Sequence, residues 1–91
     1  MVVHMKKTMI IINETGLHTR AALQIVEIAQ RAKHGVWVCK EDQRADASSV
    51  IDLLTLYCPK GSEITLETDH SHDNHIFYEI VSRIENGFGE K

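Results

Sequence analysis

Apolar residues first gather in "KKTMIIIN", from Lys6, a short β-branched run that reads as a strand. "NETG", from Asn13, is a turn. Beyond it the apolar period lengthens to that of a helix, from Thr19 to Lys33, which buries Ala21, Ala22, Ile25, Val26, Ile28, Ala29 and Ala32 in one broad stripe. Two short strands follow, Val36 to Lys40 and Gln43 to Ala47, with a hairpin turn in "EDQ". Ser48 or Ser49 caps a short helix, "VIDLLTLY", which Pro59 and Gly61 end; Val50, Leu53, Leu56 and Tyr57 share one of its faces. "SEITLETD" alternates polar and apolar positions over Ser62 to Thr68 and gives a fourth strand with Ile64 and Leu66 on one face. A last helix runs from Asp73 to Asn86, with Gly87 at its cap and Phe88 folding back on the final turn.

The order β-α-β-β-α-β-α predicts a two-layer α/β sandwich of the α+β type, four strands covered on one face by three helices. Ninety-one residues make one domain with one core. Residues 1–5, "MVVHM", are expected to lie outside it as a disordered or added leader, with Met5 as an alternative start. Two apolar residues break the helical stripes: Leu23 in the first helix and Ile51 in the second, with Leu54 at an edge. Taken singly, an exposed Leu or Ile is ordinary. If the two helices lie side by side, these residues form an apolar docking patch near His18.

Composition narrows the partners. With 43% hydrophobic and 25% charged residues the chain is globular, and a net charge of −3 without a basic run excludes nucleic acid. Cys39 and Cys58 lack metal-type spacing and sit in apolar stretches, which reads as two free buried thiols in a reducing cytosol. No segment approaches the ~18 apolar residues of a membrane span, and no apolar signal core is present, so a cytoplasmic protein without membrane insertion is expected. Trp37 and Tyr78 read as core or sheet-face aromatics rather than a stacking platform.

His18 stands where the turn meets the first helix, a place usually given to Ser, Asp or Asn. The first residues of a helix present backbone N–H groups without helical acceptors, together with the positive end of the dipole. A phosphoryl group on the His18 ring would meet the amides of Thr19 and Arg20, and the Arg20 side chain would add a charge-assisted pair. The same field disfavours imidazolium and leaves the ring a nucleophile. Read without any further motif, the same residue is more often simply a surface or capping histidine that neighbours an arginine. A second constellation, "TDHSHDNHIFYE", places His70, His72, Asp73 and His75 close together. Its spacing matches no specific metal site, and no metal or cofactor is expected.

"GLHTRAA" resembles the active-site signature of the HPr phosphocarriers of the phosphoenolpyruvate:phosphotransferase system, G-[LM]-H-x-R-P-A. The resemblance runs from Lys6 to Gly89 and includes "SSVIDLLTLYCPKGSEIT" and "NGFGE"; "ASSVIDLL" with "NGF" looks closer to the nitrogen-related NPr branch than to the sugar-transport branch. It implies an open-faced sandwich with an antiparallel sheet, and a carrier protein rather than an enzyme. By resemblance His18 is phosphorylated on Nδ1 by enzyme I and relieved by an enzyme IIA-type acceptor, while Arg20 steadies the phosphoryl group. The docking surface maps onto Thr19, Arg20, Leu23, Val50, Ile51 and Leu54, two of which periodicity already leaves exposed. Ser49 matches the regulatory serine of HPr kinase in some bacteria, beside its plain role as a helix cap. A monomer is expected.

Two departures qualify the resemblance. The family's proline is Ala21, which restores a first-turn N–H and loses the fixed φ of proline, so altered transfer rates are expected. Positions often basic around the docking face are Glu27, Gln30 and Asp52, which predicts weaker docking to the acidic partners of a sugar-transport HPr. These departures leave room for a second function, a regulatory interaction module that keeps the surface but relays little phosphate. A metal-binding function rests on the histidine cluster alone.

Overall fold

The computed structural model describes residues 4–90. Its elements are β1 (Met5–Ile10), α1 (Thr19–Ala29), β2 (Val36–Lys40), β3 (Gln43–Asp46), α2 (Val50–Thr55), β4 (Glu63–Thr68) and α3 (Asn74–Glu85), with a 3₁₀ turn, Ser71–Asp73, leading into α3. All strand pairs are antiparallel, in the order β1-β4-β2-β3. The expected order of elements and the two-layer sandwich are therefore present. The expected leader is corrected in part: Met5 pairs with Thr68, and the His4 amide donates to the Thr68 carbonyl at 2.8 Å. Residues 1–3 lie outside the described residues.

Alternation along the strands sorts the two faces of the sheet. Met9, Val36, Val38, Ala45, Ile64 and Leu66 turn inward and are buried. Against them pack Ala21, Ala22, Ile25, Val26, Ile28 and Ala29 of α1, Leu53 of α2, and Ile76, Phe77, Ile80, Val81 and Ile84 of α3. On the open face the Arg44 guanidinium lies 4.0 Å from the Trp37 ring centroid, and Trp37 Nε1 donates to Asp69 Oδ2 at 2.9 Å. Trp37 is thus a sheet-face aromatic, whereas Tyr78 projects from α3 into solvent, edge-on to Phe77. Cys58 is buried and Cys39 only half-buried; both are free thiols.

Three helix boundaries differ from the sequence pattern, each for a local reason. The first helix stops at Ala29 rather than Lys33, leaving Ala32 only partly buried. Arg31 and Ala32 make tight i→i−3 bonds to Ile28 and Ala29. The amides of Lys33, His34 and Gly35 then leave the helical path to donate to the Asp73 carboxylate, at 2.8, 2.8 and 3.3 Å. In α2, Ser49 alone caps, accepting from the Asp52 amide at 3.2 Å, while the Ser48 amide and hydroxyl donate to Asp46 Oδ1. At the other end of α2, Tyr57 adopts φ 53°, so its ring leaves the buried face and is 75% exposed. At the third boundary, α3 begins one residue late because Asp73 spends its side chain on the turn after α1 instead of capping α3. Phe88 folds back and is buried as expected.

Asp73 is 1% exposed. Burial pushes its carboxyl up, but the three backbone donors and the nearby His34 outweigh that and hold it below the ordinary carboxylate value. Truncation would strand those three amides. Asp73→Ala is expected to cost about 2–4 kcal/mol in urea denaturation. A loss below ~1 kcal/mol would mean that water replaces the carboxylate freely at this turn.

Candidate functional site

The turn before α1 is built on backbone contact with the segment after α2. The Leu17 amide donates to the Cys58 carbonyl at 2.8 Å, and the Gly61 amide to the Ile11 carbonyl at 2.7 Å. Inside the turn, Asn13 is 5% exposed, and its Nδ2 donates to the Gly16 carbonyl at 2.7 Å. Gly16 has φ +67°, the left-handed value that closes the turn and delivers His18 to the start of α1.

His18 occupies the N-cap position with extended backbone, and its carbonyl accepts from Ala22 at 2.8 Å. Its ring does not cap the helix. The ring instead turns back over the loop: Nδ1 lies 3.1 Å from the Gly16 carbonyl and 3.1 Å from Thr15 Oγ1. A carbonyl only accepts, and the Thr15 hydroxyl already donates to the Glu90 carboxylate at 2.8 Å. Both contacts therefore assign the proton to Nδ1 in this conformation. Nε2 faces Glu90 Oε2 at 3.6 Å. The amides of Thr19, Arg20 and Ala21 follow, with no helical acceptor before them. Thr19 and Arg20 are exposed, and Arg20 makes no hydrogen bond or ion pair among the described residues. A shallow groove beside the ring is lined by Thr15, Leu17, Leu54, Tyr57, Cys58 and Pro59.

Glu90 is the functional neighbour that the sequence pattern did not single out. The Thr15 hydroxyl holds its carboxyl below the ordinary value, and Asn13 Nδ2, donating at 3.1 Å, and the nearby His18 act in the same direction. It lies 72 positions from His18 in the chain and arrives only because Phe88 is buried and Gln24 Nε2 ties the Phe88 carbonyl to α1 at 3.1 Å. "NGFGE" was visible as a pattern, but its spatial neighbour was not.

Around this site the two residues that broke the helical stripes are exposed: Leu23 at 44% and Ile51 at 76%. Leu54 is exposed at the margin, Val50 is half-buried, and Tyr57 joins them as an exposed ring that the pattern had assigned to the core. The helices α1 and α2 pack on each other, which puts the residues on one side of the molecule. The cysteine beside the groove, Cys58, has its thiol pushed up by burial and stays protonated, an inert neighbour to the ring.

The second constellation divides. His70 and His72 come together, but with His34 of the α1–β2 turn rather than with His75, and Asp73 turns inward to the backbone. No spacing rule links His34 to the other two across the chain.

A family model described as "PTS HPr component phosphorylation site" matches residues 5–86. Phosphocarrier protein HPr of Neisseria meningitidis is 36% identical over 86 residues, 94% of this chain and 97% of its own length. Phosphocarrier protein NPr of Escherichia coli is 30% identical over 86 residues, 93% of this chain and 96% of its own. Among solved structures, HPr-C-His from Thermoanaerobacter tengcongensis superposes with a TM-score of 0.89 at 29% identity, covering 96% of this chain and 98% of the other.

Proposed function

The chain belongs to the HPr family of phosphotransferase-system phosphocarriers, and from that membership we propose that His18 accepts a phosphoryl group from an enzyme I-type phosphotransferase and passes it to an enzyme IIA-type acceptor. The observation that carries this reading is the placement of His18 at the mouth of α1, with the first-turn amides beside it and Arg20 next to it, exposed and without a side-chain partner among the described residues. The protein is then a co-substrate in a cytoplasmic relay, in sugar uptake or nitrogen-related regulation, and works as a monomer without a cofactor.

The relay requires the resting ring to move. Phosphorylation on Nδ1, as the resemblance implies, needs the lone pair on the nitrogen that now donates to Gly16. A half-turn of the ring about Cβ–Cγ takes Nδ1 away from that carbonyl, and its proton must first pass through solvent to Nε2. The free Nδ1 lone pair then forms the new N–P bond as the donor's N–P bond breaks and the donor nitrogen regains its lone pair. Glu90 opposes a dianion at the same place, so its carboxylate must withdraw when the phosphoryl group arrives. Arg20 and the amides of Thr19 and Arg20 then take over the charge.

Docking follows from Thr19, Leu23, Val50, Ile51 and Leu54, with Arg20 at the rim. Ile51 is more exposed than Leu23 or Leu54, so Ile51→Glu is expected to raise the KM of the enzyme I reaction by about 10- to 100-fold, through loss of ~1.5–3 kcal/mol of apolar burial. The melting temperature should stay unchanged. An unaltered KM would remove Ile51 from the interface. Ser49, half-buried under its own cap bond, is the site where an HPr kinase would act, adding charge two residues from Ile51. The acidic Glu27 and Asp52 face partners less acidic than those of a strongly basic carrier.

The test is incubation of the purified chain with enzyme I and phosphoenolpyruvate, read as acid-labile phosphate and by ³¹P NMR. One phosphohistidine per chain is expected. The tie between His18 and Glu90 favours one other reading, a regulatory module that docks but relays weakly. Binding to enzyme I without phosphohistidine, under conditions that charge a homologous HPr, would select it.

A further inference from the structure

We propose that His34, His70 and His72 form a surface site for one first-row divalent cation of the zinc class, with water completing its coordination. The three side chains come from two segments far apart in sequence, the turn after α1 and the 3₁₀ turn before α3. One ligating nitrogen from each lies within 4.8 Å of the other two. The His34 and His70 rings stack with centroids 4.1 Å apart, and the His72 ring lies 4.4 Å from His70 and 5.5 Å from His34.

The grouping rests on a rigid base. Asp73, directly after His72, is buried and holds the amides of Lys33, His34 and Gly35. That clamp fixes the backbone bearing His34 against the backbone bearing His70 and His72. The rings themselves are at the surface, and their one hydrogen bond among the described residues is from the His72 amide to His70 Nδ1, at 3.1 Å. Anchored backbones with exposed imidazoles are what a metal can gather.

Imidazole suits zinc, copper and nickel, and three protein ligands with one open position make a four-coordinate site. Metal–nitrogen bonds of ~2.0–2.1 Å place tetrahedral ligand atoms roughly 3.4 Å apart. From resting separations of up to 4.8 Å the nitrogens must settle at that spacing. Stacked rings aim their in-plane lone pairs along parallel planes, so His34 or His70 must rotate, and His70 must give up the His72 amide if it ligates through Nδ1. Exposure makes these rotations available. The bound ion would staple the α1–β2 turn to the lead-in of α3.

The site stands apart from His18. His34 follows the C-terminus of α1 and His18 its N-terminus, and eleven helical residues separate them by about 16 Å. Zinc occupancy should then leave docking and phosphoryl acceptance intact, so this inference and the proposed function fail or succeed separately.

Zinc titration of the full chain by calorimetry is expected to give one equivalent per chain, with a melting temperature raised by zinc and restored by a chelator. His34→Ala and His72→Ala should each weaken binding by at least about tenfold, while His75→Ala, His18→Ala and His4→Ala should not. Because a variant could disturb the turn, the wild-type chain is also followed by histidine ring-nitrogen NMR, where zinc should shift the signals of His34, His70 and His72 alone. Absence of binding at ~1 mM zinc, equal loss in His75→Ala, or binding only with dimerisation would each overturn the site.

Discussion

Replacing His18 by alanine should reduce phosphoryl acceptance from an enzyme I to background, a loss of more than about 10³-fold, with the melting temperature moved by no more than ~2 °C. The two halves of this expectation have separate causes. Loss of function follows because no neighbour can stand in as nucleophile. The Cys58 thiol is buried and kept protonated, and the Thr15 hydroxyl donates to the Glu90 carboxylate, which is held below the ordinary carboxylate value and is too weak a base to activate it. Stability is retained because the ring is partly exposed and each of its partners keeps another bond. Gly16 still accepts from Asn13 Nδ2, and Thr15 still donates to Glu90. Acid-labile ³²P incorporation and thermal unfolding of the same preparation measure both halves. Retained phosphorylation would assign the phosphoryl group to another residue, and a collapse in melting temperature would make His18 a structural cap.

What the pattern of residues disclosed, and what it hid, divides along local and non-local lines. The stripe of α1, the alternation of β4 and the exposed Leu23 and Ile51 are properties of a single element, and each appears in the structure. Long-range partners escaped. The end of α1 is set by Asp73, 40 positions beyond Lys33, so a period that continues to Lys33 overruns the helix. Helical phase extended through Tyr57 puts its ring in the core, but the positive φ there turns the ring out. Its exposure enlarges the apolar face beside His18.

The site shows the same division more sharply. "GLHTRAA" announced His18, Thr19 and Arg20 because their chemistry depends on helix position, which sequence displays. Glu90 was hidden because its approach depends on where the chain end folds. The consequence is functional: the expected nucleophile lies in a pocket of hydrogen bonds that orients its Nδ1 proton inward, and its negative neighbour must retreat before a phosphoryl group can settle. Ala21 acts in the opposite sense. Buried completely at the third helical position, it keeps an N–H that proline would remove from the first turn.

Gly16→Ala should be among the most destabilising single substitutions in the chain, at about 2–5 kcal/mol in urea denaturation, and should also depress phosphoryl acceptance. A Cβ at this position would lie 2.5 Å from the Cys58 carbonyl oxygen and 2.8 Å from Pro59 Cα. Both are backbone atoms, so no flexible side chain can swing away. The Leu17–Cys58 hydrogen bond, 2.8 Å long, joins the same two segments and must lengthen if they part. His18 is two residues further on, and its ring bonds to the Gly16 carbonyl itself. Displacing that carbonyl moves the ring with it. Gly61→Ala provides the comparison, since Gly61 also has positive φ, +93°, but nothing within 4 Å of an added Cβ. It isolates the backbone cost, about 1–2 kcal/mol for a left-handed alanine. An excess of ~1–3 kcal/mol for Gly16→Ala over Gly61→Ala would then measure the steric contact between the active loop and the segment after α2. Equal losses would show that the loop gives way without strain, and that His18 owes its position to the helix alone.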